Sequence, residues 1–370
     1  SHNVAVGVGA LSGSAAGMTG DNNVAVGREA LANATNAQSD VAVGRKAGYA
    51  ITDGSNNTFV GYQAGDSVTT GQGNVIMGTD AGQTFDTESY MTAVGYEAMK
   101  SAVGDNYSVA IGMRAMADAT STGGQEVAIG YNAGRYFGTS TSDSVVIGGG
   151  AGAGTVGTAF GGSSVVAVGG GALPVLENGG GVVAVGRMAM LSAVSGNGTI
   201  AIGSSVARYA LNTVSDIWVG PYAGNYAGAG TGGSTVYNIG IGTQASQHLG
   251  SGAAATGNIS IGNDCYGTAV TGDYNVSIGY GAASGASAAG DENVSIGYLA
   301  GKVSTGNYNV IMGGSAALAA TSMASSVVIG RQAMGLGVGV GADNVVIGSL
   351  AGQDLTSAGQ TILIGSNAGM

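Results

Sequence analysis

Two prolines, one cysteine, two histidines and 8% charged residues in a chain of 370 are too few for most catalytic or disulfide-stapled designs. The lone Cys265 excludes an intrachain disulfide and a cysteine-based zinc site, and it leaves the redox compartment open. His2 and His248 stand beside no plausible nucleophile and in no metal-ligand spacing. Positive charge is also scarce. Ten Lys and Arg against 21 Asp and Glu give a formal charge of −11, which repels nucleic-acid phosphates and anionic lipid and leaves neutral or cationic partners. No run of 18 apolar residues occurs, and residues 1–30 lack a basic stretch followed by an apolar one. The expectation is a chain that neither spans a membrane nor carries an export signal.

What the chain has in abundance is glycine, 74 residues, in a composition that is 44% hydrophobic and made mostly of Ala, Val and Ile. The glycines do not recur every third residue, which excludes collagen, and the β-branched content excludes a disordered linker. A short apolar triplet closed by glycine returns throughout, from VAVG at 4–7 through TFVG at 58–61 and VAIG at 109–112 to ILIG at 362–365. The closing glycines give 21 copies, most often 17 residues apart, with some steps stretched to between 18 and 22 and one shortened to 16. Insertions of that size suit the surface turns of a solenoid.

Within a copy, the first and third triplet positions are nearly always Val, Ile, Met or Thr, so both lie on one face of a strand. Their uniformity predicts a dry environment for that face. The middle position ranges from Gly240 and Ala42 to Phe59 and Trp218, which predicts room that differs from coil to coil. Three residues after the marker glycine stands Ala in 19 of 21 copies, the exceptions being Val206 and Cys265. That slot reads as a tight packing point, with Cys265 a buried substitute for alanine. The marker glycine is expected at φ > 0 in a corner, and the Asn, Asp or Ser before many triplets, such as Asn23, Asp40 and Asn57, is expected to bond neighbouring backbone groups.

A unit of this length cannot bury its apolar face alone, but stacked units can. The fold class expected is all-β: one parallel β-solenoid, a β-roll of about 21 coils over residues 1–370, on the order of 100 Å long at one strand spacing per coil. A continuous Val/Ile stripe along such a rod would aggregate unless another chain covered it, which predicts a homo-oligomer; a homotrimer about a shared axis is the economical form, though the sequence does not itself count the chains. The first and last copies carry no polar cap, so the chain is expected to be a segment of a longer one.

The recurring NVAVG, SVAIG and NVSIG pentapeptides, at 23–27, 108–112 and 275–279, resemble the head repeats of trimeric autotransporter adhesins, which form left-handed β-rolls. The unit NNTFVGYQAG at 56–65, followed by TTGQGN at 69–74, is more similar to the 17-residue repeats of phage tail fibres. The resemblance covers essentially the whole chain and implies a fibre or adhesin shaft outside the cell. Its partners would be its own copies and a host cell-surface polysaccharide or protein. Sustained heptads and barrel strands are lacking, which favours the tail-fibre reading over the head of a bacterial adhesin.

No catalytic set is found, so neither an enzyme nor a cofactor is expected. GGGAGAG at 148–154 lacks the ending of a phosphate loop, and the calcium nonapeptide pattern is absent. Asp21, Asp53, Asp66, Asp86, Asp105, Asp273 and Asp291 are expected in solvent-facing turns. The residue after the marker glycine is Tyr at Tyr62, Tyr96, Tyr131, Tyr280 and Tyr298, and Arg at Arg28, Arg45, Arg187 and Arg331. Such tyrosines are candidate platforms for sugars or proteins, or simply shields for the turn. Trp218 with Tyr222 and Tyr226 marks a contact point or an unusually wide coil. Two other solenoid classes fit less well. An acyltransferase helix needs hexapeptide spacing and a catalytic histidine, and an ice-binding solenoid needs a recurring threonine register; neither is read here.

Overall fold

A computed structural model describes the chain apart from residues 1, 14–18, 105, 121–123, 157, 231–232, 252, 268–270, 286–289, 338–340, 358 and 370. It forms two compact units, Ser1–Gly181 and Val182–Met370. Each is a stack of coils, and the regular structure among the described residues consists of three-residue strands. Every triplet of the sequence is one strand, and within each unit it pairs in parallel, in register, with the same triplet of an adjoining coil. Val24, Ala25 and Val26 thus face Val41, Ala42 and Val43 in the first unit. Val276, Ser277 and Ile278 face Val294, Ser295 and Ile296 in the second. The expected parallel β-solenoid is therefore the observed fold.

The corner after each strand follows from glycine. Gly44 has φ of 139° and Gly78 of 140°, values that side chains rarely adopt. Stacking adds a second reason: a Cβ on Gly44 would lie 2.3 Å from the carbonyl oxygen of Gly61 in the next coil. The following residues alternate in hand, with Glu97 and Met99 both at positive φ around the buried Ala98. A short bond from Ala98 N–H to Gly95 O at 3.3 Å closes the turn.

The middle triplet residue, not the first and third, points into the coil. Ala25, Phe59, Ile76, Val146, Trp218 and Val346 are fully buried. Val43, Met77, Ile111, Ile202 and Met312 point outward and remain 38–40% exposed. In a single chain the first and third positions thus form the outward Val/Ile stripe expected along the stack. A three-residue strand in so small a coil has one inward side chain, and it is the variable one that must fit its neighbours. The alanine slot behaves as expected, with Ala30, Ala64, Ala98 and Ala223 fully buried.

Coils between Val182 and Val276 carry a feature not foreseen. A second parallel ladder joins Ser195–Asn197, Asn212–Val214, Ser234–Val236 and Ala254–Thr256, two residues ahead of the main strands. Thr213, Thr235 and Ala255 are buried in it.

The residue before the triplet is polar in most copies, and these residues, mostly buried, form a third ladder. The side-chain oxygen accepts the backbone N–H of the counterpart one coil on: Asn57 Oδ1 from Asn74 N at 2.9 Å, Asn258 Oδ1 from Asn275 N at 3.0 Å. The side-chain amide donates to a carbonyl of the next coil, as Asn57 Nδ2 does to Gly71 O at 2.9 Å. The expected backbone bonding is thus present, directed along the stack rather than within one turn. Buried amides satisfied on both sides cost little and hold neighbouring coils in register.

Candidate interaction surface

The outward first and third positions line up as apolar columns. In the first unit the third-position column runs Val43, Val60, Met77, Val94, Ile111, Ile129 and Ile147 in consecutive paired strands. The triplets contain no charged residue. A sheet face of Val, Ile and Met without charge has the composition of the core of a protein–protein contact.

Tyrosines border this face. Tyr62, Tyr96, Tyr131, Tyr222, Tyr280 and Tyr298 lie at the surface, 40–57% exposed, and all but Tyr222, which follows Pro221, stand directly after the marker glycines. Much of their ring area is already engaged within the chain. Tyr280 and Tyr298 stack at 5.5 Å between centroids, and the Arg45 guanidinium sits 5.5 Å from the Tyr62 ring centroid. Stacked rings offer edges and hydroxyls rather than free faces.

A further tyrosine column, not singled out in the sequence reading, stands two residues before the triplet: Tyr90, Tyr107, Tyr237, Tyr274 and Tyr308, all exposed and all near φ of 60°. Tyr90 and Tyr107 stack at 5.1 Å and 6°. Its signal was present, since tyrosine recurs at one fixed offset from the triplet.

Trp218 is not a surface contact. It is fully buried as the inward residue of Ile217–Val219, flanked in register by Ala201 and Gly240. A Cβ on Gly240 or Gly224 would come within 2.6 Å of the indole, so the two glycines make its room. Nearby, Tyr209, Tyr226 and His248 stack in sequence at 5.0 Å each, half-buried.

One concavity in the first unit follows from an insertion. The coil between Gly148 and Gly169 carries a tight turn in which Thr155 and Thr158 exchange N–H to O bonds of 3.0 Å. With Asp118, Thr120, Tyr136, Phe137 and Ala159, Thr155 lines a groove of about 270 Å³. Asp118 Oδ2 accepts from Arg135 Nε at 2.8 Å, and the Arg135 guanidinium lies 4.8 Å from the Tyr136 ring centroid.

The charged residues act mainly as surface ties between coils. Glu97 accepts from Arg114 Nε at 2.6 Å and from Lys100 Nζ at 2.9 Å, and the Lys100 bond is the main cause holding its carboxyl down at about 2. Exposed pairs of this kind add under about 1 kcal/mol each. Of the turn aspartates, Asp53 and Asp86 are exposed, whereas Asp273 and Asp291 are half-buried and accept backbone N–H groups at 2.8 and 2.9 Å; Asp105 lies outside the described residues. Among the described residues no cluster of three or more His, Cys, Asp or Glu could hold a metal ion. No helix among them is long and apolar enough to cross a membrane.

Cys265 is buried in the alanine slot and donates to Ser277 O at 3.0 Å. Burial pushes its thiol up to about 12, far from the thiolate a reactive cysteine needs. The sequence reading is corrected for threonine. Thr35, Thr52 and Thr69 do form a register over three coils, but each hydroxyl donates to a carbonyl of the next coil at 3.1–3.2 Å instead of standing free.

Compared with known proteins, the sequence matches no family model and no curated protein.

Proposed function

We propose that the chain is a structural fibre segment that assembles as a homotrimer and forms or carries a cell-surface receptor-binding element outside the cell. It performs no catalysis in this reading. The observation that carries it is the uncharged Val, Ile and Met face left outward along the coils, exposed in a single chain and bordered by tyrosines. Apolar cores ringed by aromatic and polar groups are the make-up of stable interfaces. A second copy of the same chain presents the matching face at the same coil spacing. The repeated 17-residue step and the NNTFVGYQAG unit favour a phage tail fibre, with the head of a bacterial surface adhesin as the second reading.

Receptor contact then falls to groups away from the apolar face. The groove beside Tyr136, with its aromatic wall, held carboxylate and threonine hydroxyls, suits a neutral sugar or a short protein segment. An ice-binding role finds less support because the threonine hydroxyls are spent on backbone carbonyls.

The assembly reading is tested by placing charge on the outward face. Ile111→Glu combined with Ile147→Glu leaves the inward core untouched. The double variant is expected to keep the far-UV spectrum of the coils and to sediment as a monomer at micromolar concentration. An assembly of unchanged size would contradict the proposed face.

A further inference from the structure

The ladder of buried residues before the triplets has a rule, and one rung breaks it. At Asn23, Asn57 and Asn74, Oδ1 accepts the N–H of the next rung at 2.9 Å, from Asp40, Asn74 and Met91 respectively. At the same residues Nδ2 donates to the carbonyl three residues before that next rung: Ala37 at 2.7 Å, Gly71 at 2.9 Å and Glu88 at 2.8 Å. The same rule holds at Asn258 and Asn309 in the second unit, with Gly272 and Met323 as acceptors.

Asp40 occupies a rung of the first unit and is fully buried. Its Oδ1 accepts from Asn57 N at 2.7 Å and Asn57 Nδ2 at 3.0 Å, as the rule requires. Its Oδ2, which replaces a donating amide, is buried without a hydrogen-bond partner. The register assigns Gly54 O as the carbonyl at this level. An ionised oxygen beside a carbonyl, with no donor, is a costly arrangement, whereas a protonated one supplies the hydrogen that the asparagine rungs supply.

We propose that Asp40 is a proton-holding rung: in the folded stack it stands as the neutral acid, donating from Oδ2 to the Gly54 carbonyl, and its ionisation weakens the cohesion of the coils on either side. The stack around it is then an acid-favoured segment, which would let a fibre in this reading respond to the acidity of its surroundings.

The flanking rungs, Asn23 and Asn57, are neutral amides. The charges of the neighbouring coils, Asp21, Arg28, Glu29, Arg45, Lys46 and Asp53, stand in turns, and none figures among the causes of Asp40's displaced acidity. Those causes are burial, which pushes the carboxyl up to about 7, and the two bonds from Asn57, which pull it back in part. The folded chain therefore holds a proton that the unfolded chain, with an ordinary aspartate near 3.8, gives up. The stabilising contribution is complete below about pH 4, is lost as pH rises through about 7, and changes no further above that. Asp216 is an internal comparison. It is also a buried rung, but its Oδ2 accepts from Thr235 Oγ1 at 2.6 Å, so its ionised form has a donor, and burial raises it only to about 6.

The test is Asp40→Asn in the full chain, which restores the rule without changing shape. Infrared difference spectra between the parent and D40N at pH 6 are expected to show the C=O stretch of a buried carboxylic acid in the parent alone. Melting temperatures of the two proteins are expected to agree near pH 4 and to separate by pH 8, with D40N the more stable. Absence of the acid band, or a melting difference that stays constant between pH 4 and 8, would overturn the proposal. The infrared readout concerns the native state, so it holds even if unfolding is irreversible, and it is independent of whether the chain assembles as a trimer.

Discussion

At the scale of single residues, Trp218 shows how the same observation can be read in two opposite ways. A tryptophan in a chain with few aromatics suggests a binding platform, yet here it fills the inside of one coil. Its indole N–H is buried without a partner, so the ring contributes volume and apolar area rather than a hydrogen bond. Trp218→Ala is expected to cost about 3–5 kcal/mol, because the cavity left between Ala201 and Gly240 cannot collapse. Trp218→Phe is expected to cost about 1–2 kcal/mol or less, since it removes the unpaired N–H while keeping most of the ring. Chemical denaturation of the two variants checks both. Equal and large losses would mean that the N–H has a role the structure does not reveal.

The element here is the coil, and its packing is a trade between two positions six residues apart. In several coils a small inward strand residue is matched by a large residue six later: Ala93 with Met99, Ala110 with Met116, Ala167 with Leu173, Ala184 with Met190; where both are small, as at Ala42 and Gly48, the Leu31 and Phe59 side chains of the adjoining coils fill the space. Where the strand residue is large, its partner is glycine: Phe59 with Gly65, Ile76 with Gly82, Trp218 with Gly224. A Cβ on Gly65 would lie 2.5 Å from the Phe59 ring. The two residues share one filled volume. Phe59→Ala is therefore expected to lose about 3–5 kcal/mol, and adding Gly65→Met to recover at least 1 kcal/mol of it. Methionine is tolerated there because Met99 and Met116 already hold the same position at positive φ. Additive losses in the double variant would contradict the shared volume.

This exchange bears on how much the sequence revealed. The repeat, the parallel stacking, the marker glycine, the alanine slot and the burial of Cys265 were all legible, because each rests on one residue type recurring at one offset. The outward Val/Ile stripe was legible as well, whereas the compensation inside the coil was not. Uniform Val and Ile at the first and third positions reflect a repeated outward face, while the true core varies in compensating pairs, which a column-by-column reading does not reveal. The second ladder, with SGN, NTV, STV and AAT, was invisible because its residues share no pattern and its strands arise from pairing alone. For the candidate surface, the tyrosines after the marker glycine were legible. The tyrosines two residues before the triplet were available by the same logic, and the groove beside Tyr136 depends on an insertion that only folding brings together with Asp118.

At the scale of the whole molecule, the reading depends on what covers the outward face. Satisfied ladders of backbone and asparagine bonds account for the cohesion of each stack, so they do not require a partner. The apolar columns do, since Val, Ile and Met such as Val43, Met77, Ile111 and Ile147, left at more than a third exposure and separated by half-buried neighbours of the same kind, invite association. The account therefore stands or falls on the native mass of the purified chain, measured by light scattering coupled to size separation. The account expects a single species at three times the 35.3 kDa chain mass, persisting on dilution. A stable monomer at 35.3 kDa would show that the outward face needs no cover, and it would contradict the fibre assembly proposed here.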